Sequence, residues 1–292
     1  MYKISAHTMS TPLLSLEQAI LLYDNIGFDG AEIIIANDYK CALKINSSVD
    51  EINKIKNLKR NLKIKISNLV PYTKNFNSND ENARQQSIDE FKSIIDIADI
   101  LDCPSVRIWS GIDPNGEEYN EKSYGYLVES LSIIGEYLNN SSITANVENH
   151  HYTEGTTALK TFNLVKNINS NNIGILYDPG NLIYLGDKNY LNAFDIQKNL
   201  INHVHLKDLT INESTNPQIT TIGKNKYPVG STKPCLFGEG EIPWKEIINL
   251  LKLNNYNKYI SIEYEKRWHP EVLLDPEKAL PIEIKKLQDL ND

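Results

Sequence analysis

The 292-residue sequence predicts a single (β/α)8 barrel of the TIM-barrel type. Three observations carry that expectation. Strand-like and helix-like segments alternate along the chain, which favours a parallel sheet with helical crossovers. There are eight such pairs, most repeating after about thirty residues, the size of one unit of a closed barrel. Polar residues fall at the C-terminal end of nearly every strand segment, where barrels collect their active-site groups. The main rival is an open doubly wound sheet, whose nucleotide-binding version is weakened because no GxGxxG follows the first strand.

YKISAHT (2–8) reads as the first strand and SLEQAILLYDNIG (15–27) as an amphipathic helix, with Ser15 as N-cap and Gly27 as stop. DGAEIII (29–35) is the second strand, followed by a helix at 49–60; LKIKISNLVP (62–71) is the third, followed by a helix at 79–101. SVRIWSG (105–111), ITANVENH (143–150), NIGILYDPG (172–180), INHVHLKD (201–208) and YISIEYE (259–265) supply five more. Helical patterns occupy 119–138, 156–168, 189–199, 243–253 and 276–289. Residues 209–242 break the rhythm as a long connection containing Gly223, Pro228, Gly230, Pro234 and GEGEIPW. No composition shift marks a second domain, so residues 1–292 are expected to form one barrel.

Composition narrows the function. A net charge of −8 and 40% hydrophobic residues fit a soluble protein with a substantial core and no broad cationic surface for nucleic acid. Cys41, Cys103 and Cys235 lack a CxxC spacing, which argues against disulfide staples and zinc-thiolate sites and favours a reducing cytoplasmic location. No apolar run approaches a bilayer span and no signal segment opens the chain, so no membrane partner is expected.

The strand ends, in order, carry His7, Glu32, Arg107, Glu148 with His150, Asp178, His205 with His203 and Lys207, and Glu263 with Glu265. In INHVHLKDL (201–209), His203, His205 and Lys207 alternate and share one face of a strand, while Val204 and Leu206 face the helices. Glu148, Asp178, His205 and Glu263 come from four neighbouring strands and offer three carboxylates and an imidazole. That set suits one divalent ion such as Mn²⁺, Mg²⁺, Co²⁺ or Zn²⁺. Blander roles stand beside these. His7 also reads as a hydrogen-bonded structural histidine, Glu32 as the partner of a nearby cation, and Glu265 as reaching past the rim to Lys266 or Arg267. Trp109 and Trp268 read either as an apolar wall for a sugar face or as packing. Glu239 and Glu241, beside Gly238 and Gly240, mark a tight turn that a lid would also use.

VENHH (147–151), YDPGN (177–181), HVHLKD (203–208), GEGEIPW (238–244), ISIEYEKRWHP (260–270) and FDGAEI (28–33) together resemble the xylose-isomerase-like superfamily of TIM barrels. That superfamily holds sugar isomerases, sugar epimerases, inosose dehydratases and endonuclease IV. The resemblance implies that Glu148, Asp178, His205 and Glu263 bind one metal, with the two glutamates flanking the reacting carbon as general acid and base. It places Arg107 and His150 against substrate oxygens. Strand-end position, apart from the resemblance, adds His7, Glu32, His203 and Lys207 as candidate substrate-facing groups. The implied function is a metal-dependent sugar or sugar-phosphate isomerase or epimerase, with proton removal beside a carbonyl giving an enediolate. The alternative is a lyase or dehydratase acting on a keto-inositol, keto-sugar or keto-glycoside. An abasic-site endonuclease fits less well: the Asp-x-x-His of endonuclease IV is here Asp178 with Asn181, and its extra histidine ligands have no match. The expected partner is therefore a small carbohydrate, not nucleic acid. Association into a homo-oligomer fits the superfamily, although no segment marks an interface.

Overall fold

The computed structural model describes residues 1–112, 121–183, 189–211 and 232–291, together with the backbone of 218–222 and 225–229. In chain order the elements are β1 (Lys3–His7), α1 (Leu16–Ile26), β2 (Gly30–Ile35), α2 (Val49–Arg60), β3 (Lys65–Pro71), α3 (Glu81–Ile100), β4 (Ser105–Ile108) and α4 (Glu121–Tyr137). There follow β5 (Thr144–Glu148), α5 (Ala158–Ile168), β6 (Ile173–Tyr177), α6 (Pro179–Ile183), α7 (Tyr190–Gln197), β7 (Ile201–Leu206), β8 (Asp208–Ile211), β9 (Gln218–Ile222) and β10 (Asn225–Val229). The chain closes with β11 (Thr232–Cys235), α8 (Trp244–Leu253), β12 (Tyr259–Ile262) and α9 (Pro276–Asp289). Eight parallel strands close in the order β1-β12-β7-β6-β5-β4-β3-β2, the (β/α)8 architecture expected from the sequence.

Local signals start and stop the helices as read. Ser15 and Gln18 form a reciprocal capping box on α1, and Gly27 ends that helix at φ +101°, a conformation costly for any residue with a Cβ. Leu16, Ala19, Ile20 and Tyr23 recur at helical spacing and are all buried against the barrel. Each fully buried Leu or Ile of this layer contributes about 1.5–3 kcal/mol, which helps to offset the cost of a charged barrel mouth.

Inside the barrel the floor is small and hydroxyl-bearing. A Cβ on Gly30 would lie 2.7 Å from the Tyr259 ring, 2.9 Å from Ser67 Cβ and 3.0 Å from Ser5 Cβ, so only glycine fits there. Two register shifts sit directly below the site. One lies between Ala31 and Glu32, pairing Glu32 with Asn68; the other lies between Ile175 and Leu176, pairing Leu176 with His203.

Several boundaries differ from the sequence expectation. The strand read at 172–180 ends at Tyr177, because Pro179 lacks an N–H to continue a ladder and opens α6 instead. The strand read at 259–265 ends at Ile262, so Glu263 and Glu265 lie beyond it. The connection at 209–242 is not loop throughout: β8 pairs with β11 and β9 with β10, both antiparallel. Alternation in DLTI underlies β8, a period obscured in the sequence by the Gly and Pro of the same connection. Gly223 and Gly230, and residues 119–120 of the expected fourth helix, lie outside the described residues. Among the described residues no helix is long and apolar enough to cross a membrane.

Candidate metal centre

Four acidic and imidazole side chains converge where β5, β6, β7 and β12 end. One donor atom each from Glu148, Asp178, His205 and Glu263 lies within 4.8 Å of all the others, and all four residues are buried. The focal atom is His205 Nδ1, 3.2 Å from Glu148 Oε1, 3.5 Å from Glu263 Oε2 and 3.8 Å from Asp178 Oδ2. Adjacent strands present alternate residues inward at similar heights, which is why four segments distant in sequence meet.

Three buried carboxylates this close demand positive charge. Lys207 Nζ lies 2.8 Å from Glu263 Oε2 and 2.9 Å from Asp178 Oδ2. Arg107 Nη1 donates to Glu148 Oε2 at 2.8 Å. His205 is held well above the ordinary histidine range: burial alone would lower it, and Glu32, Glu263, Asp178 and Glu148 outweigh that. Burial would likewise raise Glu148 and Glu263, but Arg107 and His205 beside the first, and Lys207 and His205 beside the second, hold both low. Oxygens and one imidazole nitrogen converging in this way are a donor set for a divalent cation.

The second nitrogen of His205 decides which face is offered. Nε2 lies 2.9 Å from Glu32 Oε1 and donates to it, leaving Nδ1 toward the three carboxylates. A carboxylate behind an imidazole in this way fixes the ring and raises its basicity. Glu32 is itself held by Asn68 Nδ2 at 2.6 Å, and His203 Nε2 approaches it at 3.4 Å from one step lower on β7. Burial would raise Glu32, and the two histidines pull it well below the carboxylate range instead.

His7, Glu32 and His205 also come within 4.8 Å of one another. This trio does not suit a cation. The Met9 N–H donates to His7 Nδ1 at 3.0 Å, so the neutral ring carries its hydrogen on Nε2 and has no lone pair to offer there. Burial pushes His7 down to about 4, which keeps it neutral.

Lys207 needs room to reach the carboxylates. A Cβ on Gly180 of YDPGN would meet Lys207 Cγ at 2.6 Å and Cε at 2.8 Å, so the glycine leaves the path open. Glu265 turns toward Lys207, at 3.7 Å, rather than toward Lys266 or Arg267; Lys266 pairs with Asp275 at 3.3 Å. Asp208 fixes the GEGEIPW turn. Its Oδ2 accepts from Gly238 N at 2.9 Å and Gly240 N at 3.1 Å, and its Oδ1 from Leu209 N at 3.0 Å. A turn held by so many backbone donors is a pinned wall rather than the lid considered from sequence.

Comparison with known proteins bears on this geometry. The sequence profile of the xylose isomerase-like TIM barrel family matches residues 21–290. The chain belongs to that family. An inosose dehydratase of Clostridium botulinum is 27% identical over 174 residues, covering 56% of this chain and 52% of that protein. The chain thus matches about half the length of such curated relatives, which are enzymes. A zinc-bound IOLI protein superposes with a TM-score of 0.76 at 18% identity, covering 99% of this chain and 97% of the other. A D-tagatose 3-epimerase-like protein gives 0.74 at 21% identity, covering 99% and 98%. At these identities the superpositions establish the fold alone.

Within this family barrel, the structure brings Glu148, Asp178, His205 and Glu263 into one cluster, with Arg107, Lys207 and Glu32 touching it. The His7 ring meets His205 edge-on at 5.7 Å. His203 lies beneath, against Glu32. His150 packs its ring on Trp109 at 4.3 Å and lies near enough to Glu148 to help hold that carboxylate low. Trp268 is 53% exposed and lies beside Arg267 rather than joining Trp109 in one wall.

Three asparagines went unassigned in the sequence. Asn149 donates to the Asp178 carbonyl at 2.5 Å and accepts from Asp178 N at 3.0 Å. Asn181 Nδ2 donates to Asp178 Oδ2 at 2.8 Å and to Glu148 Oε1 at 3.3 Å. Both flank carboxylates in VENHH and YDPGN, a legible sign of an amide holding an acid. Asn68 carried no such sign, since only the shifted β2–β3 register brings it to Glu32.

Proposed function

We propose that this barrel is a divalent-cation-dependent dehydratase acting on a keto-polyol of the inosose type. The observation that carries it is the convergence of Glu148, Asp178, His205 and Glu263 donor atoms within 4.8 Å. The dehydratase names of the curated relatives and the zinc of the IOLI structure support it. A cation held by these four would stabilise the negative charge that develops on a carbonyl oxygen as the neighbouring proton leaves.

The chain's own groups supply the rest. Glu148 and Glu263, both held ionised, stand on two sides of the cluster, so either accepts the proton from the carbon beside the carbonyl. The freed electron pair forms a carbon–carbon double bond as the β-hydroxyl leaves. Lys207, 2.8 Å from Glu263, is placed to give that oxygen the proton with which it departs as water. Arg107 Nε and the His7 Nε2–H, buried with no hydrogen-bond partner among the described residues, would be the donors for substrate oxygens.

The second reading is epimerisation, favoured in the sequence and by the two-sided placement of the glutamates: the same proton removal is followed by its return on the opposite face. Incubating the metal-loaded protein in D₂O with 2-keto-myo-inositol and with ketohexoses separates the two. Loss of one water from the keto-inositol is expected. Deuterium incorporation into a ketohexose without mass loss selects epimerisation, and no exchange with any substrate or metal overturns both.

A further inference from the structure

Lys207 stands on ground that a divalent cation at the centre also needs. Its Nζ lies 2.9 Å from Asp178 Oδ2 and 2.8 Å from Glu263 Oε2, two carboxylates of the four-residue cluster. A carboxylate oxygen has two lone pairs to offer. Those of Asp178 Oδ2 go to Lys207 and to Asn181 Nδ2, the latter at 2.8 Å. The amide is tied down: Asn181 Nδ2 also reaches Glu148 Oε1 at 3.3 Å, and the Asn181 backbone N–H donates to Asp178 Oδ1 at 3.0 Å. The ammonium is therefore the donor that must yield, and like charge drives it from a cation at contact distance.

A second place for that ammonium lies next to the first. Glu265 presents Oε1 to Lys207 Nζ at 3.7 Å, beyond hydrogen-bond length, and its buried Oε2 accepts no hydrogen bond among the described residues. The other basic group beside it is His269, whose Nε2 stands 3.9 Å from Oε2. A carboxylate so short of donors is costly in a side chain only 13% exposed. A cavity of about 10 Å³, room for one water-sized group, has Lys207, Glu263 and Glu265 in its wall. Gly180 clears the stem, since a Cβ there would meet Lys207 Cγ at 2.6 Å and Cε at 2.8 Å. Partner, space and path lie within the reach of one side chain.

We propose that Lys207 is a tethered counter-ion that trades places with the divalent cation, leaving Asp178 and Glu263 for Glu265. Glu265 is then a positioning residue that sets cation affinity through Lys207, a role that rests on the reading of the cluster as a cation centre. Glu265 is already at ion-pair distance, so the shift is short and the ammonium stays inside the site.

Calorimetric titration of wild type, Lys207→Met, Glu265→Gln and the double variant with Mn²⁺ tests the exchange. Lys207→Met should bind Mn²⁺ at least about fivefold more tightly, since no ammonium has to move. Glu265→Gln should bind it about fivefold more weakly, since the displaced ammonium loses its partner. In the Lys207→Met background, Glu265→Gln should change nothing. That arm decides the matter, because a direct effect of the Glu265 charge on the cation would weaken binding equally in both backgrounds. Equal weakening overturns the exchange, as does an affinity unmoved by either single substitution, or no Mn²⁺ binding by wild type. Thermal melting of each variant checks the fold, and Lys207→Gln replaces Lys207→Met if the latter does not fold. Water loss from 2-keto-myo-inositol by the wild type reports separately on the reaction. Water loss without the expected coupling refutes the exchange alone, and coupling without water loss refutes the dehydratase alone.

Discussion

The two sides of the barrel mouth are built from different chemistry. Around β5, β6, β7 and β12 the inward groups are carboxylates, an imidazole and an ammonium at ion-pair distances, nearly all buried. Around β2, β3 and β4 the rim is aromatic and amide, with Tyr39, Tyr72 and Trp109 in succession and Arg107 as the bridge. The first side concentrates charge that must be neutralised, as suits a cation and a developing oxyanion. The second is a packed layer, with the Tyr39 and Tyr72 rings stacked and Arg267 and Arg107 against them. Changes on the ionic side should therefore act on the chemistry, and changes on the aromatic side on packing and stability.

The largest effect tests the ionic side directly. Glu148→Gln and Glu263→Gln should each slow exchange of a substrate proton with solvent deuterium by about 10²–10⁴-fold, the scale of a lost general base. Retained exchange in both variants would remove the two glutamates from proton transfer.

Next in size is the bridge. Arg107→Met leaves Glu148 buried without its 2.8 Å partner, and breaking such a pair costs about 3–5 kcal/mol. Urea unfolding should register that loss, and pairing Arg107→Met with Glu148→Gln should recover part of it. A double variant no more stable than Arg107→Met would mean that the pair does not balance charge across the two sides.

Cation binding should raise stability by about 2.7 kcal/mol at a hundredfold excess over Kd. The expected readout is a higher melting temperature with Mn²⁺, Co²⁺ or Zn²⁺, reversed by chelator and absent in His205→Ala. Gly180→Ala should also disturb the ionic side, since its Cβ would displace Lys207 from Asp178 and Glu263. Lower cation selectivity and slower exchange together would mark that displacement, and wild-type behaviour would show that Lys207 has another path.

The smallest expected effect lies behind the ionic side, on α9. Burial pushes Glu283 from 4.5 up to about 8, while one oxygen accepts from Phe237 N at 3.1 Å. Between those pH values the folded chain holds a proton that the unfolded chain has released. Stability from this group therefore falls as pH rises through the window and levels off above it. Glu283→Gln keeps the Phe237 acceptor and should flatten that slope between pH 5 and 8 in urea unfolding. An unchanged slope would show that Glu283 ionises as it does in the unfolded chain.

What the sequence determined by itself follows from periodicity and local chemistry. Alternating strand and helix patterns fixed the barrel, Ser15 and Gly27 fixed the ends of α1, and residue type with strand-end position singled out Glu148, Asp178 and Glu263, while the choice of His205 over His203 rested on the family resemblance. Those signals are local, so they survive without knowledge of neighbours. Tertiary structure decided what depends on register and approach. It brought Asn68 to Glu32 through a one-residue shift, gave His205 Nε2 to Glu32 and Nδ1 to the carboxylates, and turned Glu265 toward Lys207. It also packed His150 on Trp109 and made ribbons of the connection after β7. A sequence names the groups a strand end can present, but a hydrogen bond between strands depends on distances that only the closed barrel sets.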